Sequence, residues 1–160
     1  MRLGECLGLQ WQDVDLEGCE LQVRRQLTRQ GEVGPPKTAK AARQVPLPDS
    51  VVKFLAAHKL RSAHSAAEDF VFANRSGKGS AIATSSNAGS TGPQTWRGIE
   101  GVTFHDLRHA FASRMIYNGI NSTDLAAVMG HESSTITERV YIHQFNRLKR
   151  DDKLRAAMGS

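Results

Sequence analysis

Residues 104–143 read FHDLRHAFASRMIYNGINSTDLAAVMGHESSTITERVYIH, and the reading of this stretch decides the fold. His105 and Arg108 lie three residues apart, so on a helix they share a face. Phe104, Leu107, Phe111 and Met115 recur at helical spacing on the neighbouring stripe, which predicts the face that anchors this helix in a core. Gly119, after Asn118, is placed to end it as a left-handed cap. A short second helix follows. Ser122 or Thr123 can cap it, Leu125, Val128 and Met129 supply its apolar side, and Gly130 stops it. His131 therefore leaves a helix end on a turn that fixes its direction. A third helix is expected from about Thr135, with Thr135 and Glu138 as a capping box and Tyr141 near its end.

These residue types suit one kind of chemistry. A phenol with a pKa of about 10 is ionised to only about one part in a thousand at neutral pH. It becomes a useful nucleophile beside a base or a cationic cluster. Arginine offers a planar fork that matches two phosphate oxygens and stays charged at any working pH. Histidine can take the phenolic proton or donate to a non-bridging oxygen. Two histidines, an arginine and a tyrosine facing one phosphate would transfer a phosphoryl group from a nucleic-acid backbone to the tyrosine.

Composition permits that reading. At 160 residues, with 39% hydrophobic and 23% charged residues, the chain is expected to form one soluble domain with a real core. No run of about 18 apolar residues occurs, so no membrane span is expected. The N-terminal MRLGECLGLQW has a single basic residue and no secretory pattern. Net charge is +5 and the sequence pI is near 9.6. Residues 1–20 hold one basic and five acidic residues, whereas residues 21–61 hold nine basic and two acidic. That clustering favours a phosphate-facing surface, although single lysines are usually just solvated. Cys6 and Cys19 are too few for a disulfide framework or a zinc site, and a reducing, cytoplasmic setting fits.

The N-terminal segment starts inside a helical pattern, with Leu3, Cys6, Leu7 and Leu9 as its apolar positions and Cys6 as a buried small hydrophobe. On that helix Arg2 and Glu5 are three apart, which by itself describes a surface ion pair. Residues 19–26 alternate well enough for a strand, residues 27–36 form a long hairpin tip, and residues 44–47 (QVPL) return, with the proline marking an edge or a strand end. Lys37 stands at the start of this return, in PKTAKAARQVPLP, with Lys40 close by. Asp49 caps a helix over residues 50–61, whose rows carry Val52, Leu55, Ala56 and Lys59. His58 and His64, at and beyond its end, are assigned no chemistry. Residues 70–72 (FVF) form a buried strand or extended turn. Residues 73–103, rich in glycine, serine and threonine, read as loop, with a poor helix candidate at 94–99. Residues 145–158 are a charged helical stretch with Phe145, Leu148 and Leu154 as possible anchors.

The ordered strings HDLRHAFAS, MGH and TERVYIH resemble the tyrosine site-specific recombinases, or phage integrases. Arg2-Leu3-Gly4-Glu5 followed by Leu7, Leu9, Trp11 and Asp13 resembles the first arginine box of that family, and the P-K-T turn at Lys37 resembles its lysine hairpin. The resemblance implies an α+β, mainly helical catalytic domain of the tyrosine-recombinase/type IB topoisomerase kind, with a small antiparallel sheet over residues 19–47. It implies that residues 1–160 are a single truncated catalytic domain, without the family's N-terminal DNA-binding domain. Tyr141 would attack a scissile DNA phosphate and form a 3′-phosphotyrosyl link. Arg2 and Arg108 would hold the non-bridging oxygens, His105 would take the tyrosine proton, and Lys37 would give one to the leaving 5′-oxygen. His131 would donate to the phosphate, and Glu5 would orient the site. No metal or other cofactor is implied. The implied partners are a double-stranded recombination site and further copies of the chain, assembled as a tetramer on DNA. A spacing of ten residues from His131 to Tyr141, against nine in many relatives, is one departure.

Three other readings stand beside this one. His105 and His109 are four apart, as in zinc-binding helices, but Asp106 replaces the expected glutamate and Arg108 would sit beside the cation. Residues 122–138 resemble a helix-turn-helix, which would make the protein a non-catalytic DNA binder. That leaves Tyr141 and the His105/Arg108 pair unexplained, and it puts polar His131 at a corner that is normally apolar. The third is an inactive integrase remnant that folds without reacting.

Overall fold

The computed structural model describes residues 1–28, 30–36, 41–79 and 102–158. Helices α1 (Leu3–Leu7), α2 (Asp49–Arg61), α3 (Phe104–Tyr117), α4 (Ser122–Met129) and α5 (Ser134–Met158) dominate it. Strands β1 (Val14–Asp15), β2 (Glu20–Val23) and β5 (Arg43–Pro46) form an antiparallel sheet in the order β1-β2-β5. β3 (Gln26–Leu27) and β4 (Val33–Gly34) make a separate antiparallel pair. The mainly helical α+β class expected from the sequence is the one observed. β2 is the centre strand, pairing Val14↔Leu21 on one side and Leu21↔Val45 on the other. Pro46 thus lies at the end of an edge strand, where its missing N–H costs no ladder bond.

Two hydrophobic clusters hold the chain together. The first gathers Leu9, Trp11, Leu21, Val23, Leu55 and Val71 from residues 9–11, β2, α2 and the 70–72 segment. That segment runs beside residues 9–11, with Val71 N–H donating to Leu9 O at 2.9 Å and Trp11 N–H donating to Asp69 O at 3.0 Å. Full burial of a leucine such as Leu55 contributes about 1.5–3 kcal/mol. His58 closes this core by a 2.7 Å hydrogen bond to Val71 O, its ring stacked against Phe54 and Phe72. The second cluster is Ala112, Ile116, Leu125, Met129 and Tyr141, where α3, α4 and α5 pack on one another.

Several local expectations change. The buried face of α3 carries Arg108, Ala112 and Ile116, with Met115 partly buried. Leu107 and Phe111 are largely exposed instead. The helix is turned by one row because its inner face must bring Arg108 to the end of α4. Likewise the most buried residue of α1 is Glu5, while Leu3, Cys6 and Leu7 are half-buried. Asp49 is the first residue of α2 rather than its cap, which is Pro48. Asn121 caps α4, accepting from Asp124 N–H at 2.9 Å, in place of Ser122 or Thr123. α5 starts at Ser134, so Thr135 lies inside the helix and not at its cap, and Glu138 Oε1 accepts from Ser122 at 2.7 Å. α3 has the box instead, with Asp106 N–H donating to Thr103 Oγ1 and Asp106 Oδ2 accepting from Thr103 N–H. Gly119 and Gly130 do end their helices with positive φ, 85° and 68°. Tyr141 lies within a continuous α5, not near a helix end. The helix candidate at 94–99 and Lys37 and Lys40 fall outside the described residues, as do the side chains of Phe145 and Leu148. Among the described residues no helix is long and apolar enough to cross a membrane.

Candidate active site

The site is built on the C-terminal end of α4. The last carbonyls of any helix lack intrahelical donors and carry the negative end of its dipole. Here the backbone serves the first two: Gly130 N–H faces Ala126 O and Ala127 O, and His131 N–H donates to Ala126 O at 3.0 Å. The next three each take a guanidinium. Arg43 Nε donates to Val128 O at 2.7 Å, Arg108 Nη2 to Met129 O at 2.6 Å, and Arg2 Nη2 to Gly130 O at 3.0 Å. Residues far apart in the chain are thus gathered by three consecutive backbone oxygens. Gly130 makes the approach possible: with φ at 68° it turns the chain, and a Cβ there would stand 2.5 Å from Arg43 Nη1.

Three cations this close need an anion, and Glu5 supplies it. Its carboxylate, 2% exposed, accepts from Arg43 Nη2 at 2.9 Å, from Arg2 Nη1 at 3.0 Å and from Arg2 N–H at 2.7 Å. Burial pushes the carboxyl pKa up, but the hydrogen bonds from Arg43 and Arg2 outweigh it and hold the group below the usual carboxylate value. The Arg2–Glu5 pair read from the sequence as a surface contact is therefore part of a network in which Glu5 and Arg43 are buried and Arg2 is partly exposed. Arg108 is the most enclosed of the candidate phosphate binders. Burial and the charge of Arg2 lower its pKa, and its Nη1 is buried with no hydrogen-bond partner among the described residues.

His131 follows Gly130, so the left-handed cap aims it at the same cluster. Its Nδ1 lies 2.6 Å from Thr137 Oγ1, on a fully buried threonine of α5. Burial and the charges of Arg108, Arg2 and Arg43 lower its pKa to about 4, so the ring is neutral at pH 7. Tyr141, one helical turn beyond Thr137, is 4% exposed. Burial raises the phenol's pKa while the nearby Arg108 charge pulls the other way, and burial wins. Its hydroxyl lies 2.7 Å from His109 Nδ1, and His109 Nε2 lies 2.8 Å from His105 Nε2. His105 thus stands one imidazole away from the hydroxyl, on the exposed side of α3.

Of the residues singled out from the sequence, Arg2, Glu5, Arg108, His131 and Tyr141 come together, His105 joins through His109, and Lys37 lies outside the described residues. The sequence reading missed Arg43, His109 and Thr137 as parts of the site. His109 and Thr137 were within reach of spacing alone, since His109 follows Arg108 and Thr137 precedes Tyr141 by one turn. Among the described residues, no three His, Cys, Asp or Glu side chains gather as metal ligands do.

The model of the phage integrase family matches residues 1–147. The chain belongs to this family. Integrase-family relatives include a tyrosine recombinase XerC-like protein of Caldanaerobacter subterraneus subsp. tengcongensis, 30% identical over 93% of this chain and 44% of its own length. The prophage integrase IntR of Escherichia coli K12 is 31% identical, over 88% of this chain and 39% of its own. The chain therefore spans less than half the length of these curated relatives. Among solved structures, a Tn1549 transposon integrase in complex with transposon right end DNA superposes with a TM-score of 0.69 at 23% identity, over 96% of this chain and 55% of that one. The XerA recombinase superposes at 0.60 and 22% identity, over 86% of this chain and 46% of that one. The integrase fold expected from the motifs is thus the fold observed.

Proposed function

We propose that this chain carries the reaction centre of a site-specific DNA recombinase. Tyr141 attacks a backbone phosphate, an O–P bond forms to the phenolic oxygen, and the bond to the 5′-oxygen breaks. The product is a 3′-phosphotyrosyl link and a free 5′-hydroxyl, whose later attack reverses the step and rejoins a strand. Arg2 and Arg108 neutralise the charge that grows on the non-bridging oxygens. His131, neutral and with Thr137 at Nδ1, donates from Nε2. The tyrosine proton leaves toward His105, and Lys37 protonates the 5′-oxygen. Glu5 keeps the arginines in place.

The observation that carries this reading is Arg108. Its guanidinium is fixed through one nitrogen to Met129 O, its other terminal nitrogen is unpartnered among the described residues, and its charge reaches the Tyr141 phenol. The DNA named in the solved integrase complexes supports duplex DNA as the partner. Assembly as a tetramer on the recombination site, in the cytoplasm, completes the proposal.

A nicked suicide substrate tests it. The expected result is a covalent protein–DNA adduct that disappears in Tyr141→Phe. An adduct that survives this change removes Tyr141 from the mechanism. Salt-sensitive DNA binding with no adduct would instead favour a pure DNA-binding role.

A further inference from the structure

We infer that His109, not His105, is the group that takes the proton from Tyr141, and that His105 serves as the second station of a relay to solvent. This rests on the reaction proposed above for the same site. The 2.7 Å separation between the Tyr141 hydroxyl and His109 Nδ1 is that of a formed hydrogen bond, and the phenol donates in it when Nδ1 carries no proton. The two imidazoles then order themselves. A lone pair at His109 Nδ1 leaves the proton of the neutral ring on Nε2, which faces His105 Nε2 at 2.8 Å. His105 accepts there and carries its own proton on Nδ1. The two rings stand nearly perpendicular, with 4.4 Å between centroids at 87°, and the Nε2–Nε2 contact is their closest polar approach.

The proton count closes. As the Tyr141 O–H bond breaks, an N–H bond forms at His109 Nδ1, and the phenolate electron pair makes the new bond to phosphorus. The imidazolium releases its Nε2 proton to His105 Nε2, and exposed His105 sheds a proton to water from Nδ1. His105 is the more exposed of the two rings and His109 is half-buried. A base at the hydroxyl is needed because a phenol is protonated at neutral pH and burial disfavours its ionisation further; a positioned base typically contributes about 10²–10⁴-fold in rate.

Three measurements separate this inference from the recombinase reading. In the free protein, the imidazole nitrogen resonances of His109, assigned by comparison with His109→Asn, should report an unprotonated Nδ1 and a protonated Nε2. A proton on Nδ1 overturns the inference whatever the protein does to DNA. On the nicked substrate, His109→Ala and His109→Asn should both slow adduct formation by about 10²–10⁴-fold. Asparagine keeps an acceptor oxygen near the place of Nδ1 but cannot carry a proton away. Near-normal cleavage by His109→Asn would reduce His109 to a positioning role and overturn the inference. A substrate with sulfur in place of the 5′-bridging oxygen needs no acid for its leaving group. It should rescue Lys37→Ala and leave both His109 variants slow; rescue of the His109 variants places them on the leaving-group side and overturns it too. If the unaltered protein forms no adduct while His109 holds the expected tautomer, the recombinase reading fails, and the catalytic role inferred for His109 goes with it.

Discussion

The two hydrophobic clusters are built from similar side chains and put to different use. Around Leu9, Trp11, Leu21, Val23, Leu55 and Val71, the polar neighbours pair mostly with one another: Trp11 Nε1 donates to His64 O, His58 bonds to Val71 O, and Asp13 pairs through Oδ2 with Arg25, its buried Oδ1 having no partner among the described residues. Around Ala112, Ile116, Leu125 and Met129, the cluster wall includes a phenol and stands beside a guanidinium with a nitrogen to spare. The first cluster spends its packing on stability. The second spends part of its own on holding ionisable groups away from water, where their charges act more strongly. Glu5 and the three arginines at the end of α4 join the two halves.

The joint is the place to break that contrast most severely. Glu5→Gln keeps the shape but leaves Arg43, itself 7% exposed, without its counter-charge; a loss of about 3–5 kcal/mol is expected, read as a lower urea midpoint. Next, two substitutions should pull stability and reactivity apart. Leu55→Ala in the first cluster should cost about 2–5 kcal/mol in urea unfolding while the folded fraction still forms adduct at its normal rate. Arg108→Met should do the converse, lowering adduct formation by about 10²–10³-fold with the urea midpoint unchanged or raised, since it removes a buried, half-satisfied charge. A stability loss on the scale of Leu55→Ala in Arg108→Met would refute the division of labour.

Gly130→Ala is a smaller perturbation. It forces an alanine to φ near 68° and crowds the pinned Arg43 guanidinium, so a loss of about 1–3 kcal/mol is expected, with retention of helix in circular dichroism. The smallest effect concerns acid. The folded pKa of His131, about 4, lies below its ordinary 6.5, so the unfolded chain binds a proton on this ring at a higher pH than the folded one does. Its share of stability is therefore complete above pH 6.5 and is lost as pH falls toward and through 4. The melting temperature of His131→Gln should depend less steeply on pH across that window; an unchanged slope would show that the acid sensitivity comes from elsewhere, Glu5 first.

Much of this arrangement was legible in the chain. Helix ends at Gly119 and Gly130, the edge proline of β5 and the convergence of Arg2, Arg108, His131 and Tyr141 follow from spacing, capping chemistry and family motifs. What was not legible is tertiary. No local pattern says that Arg43 reaches a carbonyl 85 residues away, or Arg2 one 128 residues away. Leu107 and Phe111 misled because the apolar stripe of α3 competes with Arg108 for the inner face, and the helix turned toward the carbonyl of Met129. Asn121 took the cap from Ser122 because the serine hydroxyl had a partner on α5, Glu138, that only the packed structure supplies.

α5 runs without interruption from Ser134 to Met158, and Tyr141 is its eighth residue. At about 1.5 Å per residue, more than 20 Å of stiff rod extends past the phenol. A hand on the far end of that rod, whether another protein chain or a length of nucleic acid, would swing the hydroxyl with no joint in between to absorb the push.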